Sequence, residues 1–106
     1  MPVSLKPSER IARLADRIEA VLDANTRASA NPEALAQLLG AAAELGGGDA
    51  YTSAKLVELM AKAQIFYSAR GFFRLPGTAQ RLWNDMRHDL LDRIRMRSRV
   101  LASQGD

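Results

Sequence analysis

Cysteine is absent from the 106 residues, which removes disulfides, thiolate nucleophiles and Cys-ligated zinc. Histidine occurs once, as His88, and the Ser, Thr and Asp residues around it form no triad pattern. No apolar run approaches the ~18 residues that a membrane-spanning helix needs. The opening Met-Pro-Val-Ser-Leu-Lys-Pro lacks the apolar centre of a secretory leader. No stretch alternates with the period of a strand, and no internal repeat is visible. Together these absences predict a cytoplasmic, non-enzymatic protein without metal or cofactor. The length suits one domain with one core.

What the chain does contain is amphipathic helix. Thr78–Ser103 runs 26 residues without Gly or Pro. At 100° per residue, Leu82, Trp83, Met86, Leu90, Ile94 and Leu101 share one face, with Asp85, His88, Asp92, Arg95 and Arg99 opposite. Thr78 is the candidate N-cap. Such a helix is about 39 Å long, whereas a spherical domain of this length is roughly 33 Å across. The helix is therefore expected to overhang its own body, and its apolar stripe to need a second copy or a partner.

Three further helices precede it. Residues 1–6 read as a loose arm. Helix 1 spans about 7–25, with Pro7 in the first turn and Ile11, Leu14, Ala15, Ile18, Val21 and Leu22 as a narrow stripe. Asn31-Pro32-Glu33 marks the next start: an N-cap, a Pro at the first helical position, an acid near the positive end of the dipole. Helix 2 then runs over 32–45. Gly46-Gly47-Gly48-Asp49 ends it and opens helix 3 over 50–69, with Gly46 as left-handed cap and Asp49 as N-cap. The three glycines match no phosphate-binding motif and read as a flexible loop. Leu56, Leu59, Met60, Ala63, Phe66 and Tyr67 form the main face of helix 3. Val57 and Ile65 lie off it, so this helix is either central or gives one side to a partner. The architecture predicted is all-α, a four-helix domain with a long C-terminal amphipathic helix, homodimeric.

Charge is divided between the halves. Residues 1–50 hold five basic and seven acidic groups, and residues 51–106 hold ten basic and five acidic. The net values, −2 and +5, suggest that the second half attracts an acidic surface or a phosphate backbone. Arg93, Arg95, Arg97 and Arg99 put four arginines within seven residues. Their alternation splits them over two faces, which suits a groove-docked helix poorly, so nucleic-acid binding by the arginine-rich C-terminal half is the alternative rather than the main reading. Asp85, Asp89 and Asp92 oppose anionic headgroups and argue against a membrane surface. Asp85, His88 and Asp92 have the spacing of half a bundle metal site. They project outward, however, so they read as a solvated face.

Protein binding remains. The candidate partner-binding residues are Leu56, Met60 and Phe66 of helix 3, Phe72 and Phe73 in the connector Gly71-Phe72-Phe73-Arg74-Leu75-Pro76-Gly77, and Trp83, Leu90, Ile94, Arg93 and Arg97 of helix 4. Aromatics and arginines of this kind are enriched at interface centres. On the helix 3 face, the Phe72/Phe73 knuckle and the arginine-flanked stripe of helix 4, the chain resembles the small all-helical, cysteine-free anti-activators of LuxR-type quorum-sensing regulators. The resemblance covers the whole chain in size and helical layout. It implies a homodimer that binds and sequesters a transcription factor, covering the regulator's own dimer surface.

Overall fold

The computed structural model describes residues 5–45, 48–68 and 77–106. They form an all-α domain of four helices with no strand among the described residues. These are α1 (Pro7–Ala24), α2 (Pro32–Leu45), α3 (Ala50–Phe66) and a long α4. Helix α4 passes through Thr78–Trp83, a π-helical stretch Asn84–Leu90, and Leu91–Ser103 without leaving the helical path. No helix among the described residues is long and apolar enough to cross a membrane.

The helix starts follow capping chemistry, with two exceptions. Asn31 caps α2, its side-chain oxygen accepting from the Ala34 N–H at 3.0 Å. Asp49 caps α3, accepting from the Thr52 N–H at 3.0 Å and the Thr52 hydroxyl at 2.7 Å. Thr78, however, is the first helical residue rather than the cap. Gly77 holds that place at φ 80°, a left-handed conformation that a side chain would strain, and as a glycine it supplies no side-chain cap. At α1 the local cap, Lys6, supplies no side-chain bond. The Asp106 carboxylate does so from the far end of the sequence, accepting from the Ser8 N–H at 2.5 Å and the Ser8 hydroxyl at 3.0 Å. Ser98 then donates to the Ser8 carbonyl at 2.7 Å.

Helix α3 ends at Phe66, short of the expected 69, because Tyr67 is fixed elsewhere. Its hydroxyl donates to the Asn25 carbonyl at 2.8 Å, and its own carbonyl accepts from the Asn31 N–H at 3.1 Å. The Asn31 side chain in turn donates to that of Asn25 at 2.8 Å. This polar knot fastens the α1–α2 connection to the end of α3. Burial raises the Tyr67 phenol to about 12.

The core draws on every helix: Ile11, Leu14, Ile18 and Leu22 of α1, Leu38 of α2, Leu59 and Phe66 of α3, and Met86, Leu90, Leu91 and Ile94 of α4. The interior line of α4, from Leu82 through Met86, Leu90 and Ile94 to Ser98, advances four residues at a time. A regular α-helix drifts about 40° with each such step. The π stretch has a wider turn that rotates less per residue, so it takes up the drift and keeps the line facing inward. It also swings Leu91 into the core at 1% exposure, a position that constant 100° spacing leaves off the stripe.

The expected overhang does not hold, and the stripe is covered over Met86, Leu90 and Ile94 while Leu82, Trp83 and Leu101 stay half-buried. Leu90 is 2% exposed and Ile94 0% exposed, both covered within the chain itself. Segment Leu91–Ser103 lies along α1, while the π stretch packs on α3. The error came from assuming a sphere. The molecule measures 47 × 26 × 20 Å, so its long axis accommodates the helix and α1 runs beside it.

Two consequences can be measured. Ile94→Ala should cost about 2–5 kcal/mol in urea unfolding, as expected of a closed core position. Asp49 is held down to about 2, first by the Arg97 guanidinium that hydrogen-bonds to it, with Thr52 adding to the effect. Its folded value lies below its unfolded one, so its contribution is present above pH ~4 and is lost as pH falls toward 2. Asp49→Asn should therefore flatten that part of the stability–pH curve, and Asp49→Ala should also lose a cap worth about 1 kcal/mol.

Candidate partner-binding surface

The structure divides the sequence candidates into four groups. Leu56, Phe66, Leu90 and Ile94 are buried in the core, where they hold the helices together. Met60 and Trp83 are half-buried at the surface. Phe72 and Phe73 lie outside the described residues. The two arginines are engaged within the chain. Arg93 donates to Asp89 at 3.0 Å one turn back, and Arg97 grips Asp49 through Nε and Nη2 at 3.0–3.2 Å.

Around Trp83 the helices leave an aromatic corner. The Trp83 ring lies 5.6 Å from that of Phe66, and Phe66 meets Tyr67 edge-on at 5.0 Å. Trp83 and Phe66 line an open cavity of about 300 Å³ together with Thr26, Ala28, Ala79 and Gln80. Three elements build it: the α1–α2 connection, the end of α3 and the first turns of α4. The small Ala28 and Ala79 leave the space, and the two rings supply an apolar wall. Thr26 and Gln80 offer hydrogen-bonding groups at its edge. None of those four residues was a site candidate in the sequence, where Thr26–Ala30 reads only as a short polar loop, because a cavity made by small side chains from separate elements has no local pattern.

No family model, curated protein or solved structure matches this chain. Its candidate surface is therefore defined by its own geometry and charge.

The charge pattern is largely internal. Helix α1 carries Asp16, Glu19 and Asp23 on one edge, and α4 lays Arg87 and Arg95 against it. Arg87 donates to Asp23 at 2.7 and 3.2 Å and to Glu19 at 3.0 Å. Arg95 donates to Asp16 at 2.8 Å and also to Glu19, so Glu19 joins the two arginines. The hydrogen bond from Arg87 holds the Asp23 carboxyl below the usual carboxylate range, and the carboxylates raise both guanidinium groups. With Arg97 on Asp49, three arginines of the basic half bind four carboxylates of the acidic half. The acidic surface that the second half attracts is thus in good part the chain's own. Asp85, read as a solvent-facing acid, binds Lys62 of α3 at 3.1 Å. His88 stays exposed, and among the described residues no group of His, Asp or Glu is arranged to hold a metal ion.

One apolar surface lies away from the cavity. Val57 of α3 is 70% exposed. Ala61, Ile65 and the α4 residue Leu82 line a groove of about 390 Å³ beside it, with Glu58 and Lys62. The sequence signal was the position of Val57 and Ile65 off the main face of α3.

Because Glu19 joins two arginines at a half-exposed site, Glu19→Gln should cost about 0.5–1 kcal/mol in low salt. The difference from the parent should shrink toward zero at 1 M salt, where the Debye length is about 3 Å. Urea titrations of both proteins at the two salt concentrations measure it.

Proposed function

We propose that the chain is a non-enzymatic cytoplasmic binding protein that sequesters a transcription factor, with the Trp83 cavity taking an apolar side chain of that partner. The observation that carries this reading is the cavity itself. It is lined by two aromatic rings, two alanines and the polar Thr26 and Gln80, and it opens at the surface. Tryptophan in such a setting is the residue type most often found at interface hot spots. A volume of about 300 Å³ accommodates one or two large side chains rather than a cofactor. The partner class follows from the resemblance to anti-activators of LuxR-type regulators, and the same resemblance implies that the protein works as a pair of identical chains. Occupying a regulator's helical dimer surface would keep it from DNA without any chemistry.

Nucleic-acid binding is the weaker reading. Of Arg93, Arg95, Arg97 and Arg99, the first three already donate to carboxylates of the same chain. A phosphate backbone would have to displace those bonds.

Ala79→Leu and Ala28→Leu fill the cavity while leaving the rings in place. In a reporter strain carrying a panel of LuxR-type regulators, the parent protein should repress at least one of them. The filled variants should lose that repression about tenfold or more, with unchanged helical circular dichroism. Trp83 is the only tryptophan, so its fluorescence should shift when the purified regulator binds. Repression by the filled variants equal to the parent, or binding to none of the panel, would overturn the proposal.

A further inference from the structure

The outer face of α3 lies opposite the core. At 100° per residue Ala54, Val57, Ala61 and Ile65 fall on one side of the helix. Leu56, Leu59, Ala63 and Phe66, which are buried, fall on the other. Ala54, Val57 and Ala61 are exposed and Ile65 is half-buried. The face thus alternates small and large side chains: Ala, Val, Ala, Ile. Glu58 and Lys62, one turn apart, line one flank beside Leu82 of α4.

We propose that this face binds a second copy of the chain, with the two α3 helices antiparallel about a two-fold axis at the level of Leu59–Met60. The pattern is complementary to itself under that operation. A two-fold axis that reverses a helix brings each flank against the same flank of its copy, so that residue i meets j wherever j meets i. Val57 then faces Ala61 of the other copy, and Ile65 faces Ala54, so every large side chain meets a small one, as knobs meet holes. On the flank, Glu58 comes level with Lys62 of the other copy, giving two opposite-charge contacts for one axis. Among the described residues Glu58 is held by Lys55 alone, at 3.5 Å, with its side chain 52% exposed. Lys62 donates to Asp85 and has further ammonium protons to offer. A parallel pairing would instead set Val57 against Val57 and turn the Glu58–Lys62 flank toward the opposite flank of the copy, away from its own equivalent.

The pairing gives a face to the two-chain state named in the proposed function, but it does not depend on what the Trp83 cavity takes. Sedimentation equilibrium of the full chain should show a reversible dimer. Val57→Glu buries a charge at the centre of the contact and should raise the dissociation constant about tenfold or more, with helical content unchanged because the position is exposed in the single chain. Glu58→Lys and Lys62→Glu should each weaken the dimer, by opposing two lysines or two glutamates. Carrying both changes together should restore it. A monomer at every concentration, a dimer indifferent to Val57→Glu, or a double exchange no tighter than the single ones would each overturn the proposal. A monomer that still represses a regulator through the cavity would remove the pairing and leave sequestration standing. A dimer that binds no regulator would do the reverse.

Discussion

Helices α1 and α4 lie side by side, and the other elements take their places against that pair. Two kinds of force act along the seam. Ile11, Leu14, Ile18 and Leu22 share a buried core with Leu91, Ile94 and neighbouring residues, and this burial supplies the bulk of the stabilisation. Outside this line, Glu19 binds Arg87 and Arg95 together. Surface ion pairs add little individually, but these fix which edge of α1 faces α4. With that edge fixed, α2 and α3 close the remaining side, and the Asn25–Asn31–Tyr67 knot fastens one end of the bundle.

The π stretch of α4 is what makes this seam compatible with a four-residue repeat. In a regular helix, Arg87 and Arg95 stand about 80° apart around the axis, eight residues being two turns and a fraction. The wider turn narrows that angle, so both guanidinium groups reach one carboxylate. The interior line and the charged edge therefore depend on the same departure from α geometry. Nothing at Asn84–Leu90 breaks the chain as a proline would; the departure comes from packing, which accounts for its absence from the local propensities.

Much of the fold was legible because it rests on local rules. The starts of α2 and α3 are written in the capping residues Asn31 and Asp49, that of α1 in Pro7 at its first position, and the stripe of α1 in its spacing. The burial of Leu91 was not legible, because it requires knowing that the helix turns more slowly just before it. Nor did the tally of charge by halves reveal that Arg87, Arg95 and Arg97 already have partners in the first half. Pairs such as Glu19 and Arg87 form only once the chain has folded back. The candidate site was legible in part. Trp83 and Phe66, which the structure brings together, stood among the sequence candidates, and Val57 and Ile65 stood out as residues off the main face of α3. Leu56, Leu90 and Ile94 look the same in sequence whether they face a partner or the chain's own core, and here the elongated body covers them.

The division of charge also acts before any helix has packed. Bringing Glu19 to Arg87 closes a loop of 68 residues, an entropic cost that grows with the logarithm of loop length. In the unfolded chain an acid-rich front portion and an arginine-rich rear portion attract one another across that distance, favouring compact conformers in which the two are near. The ion pairs of the finished seam thus have an earlier role as a guide to collapse, and added salt weakens that guide before it reaches the packed core.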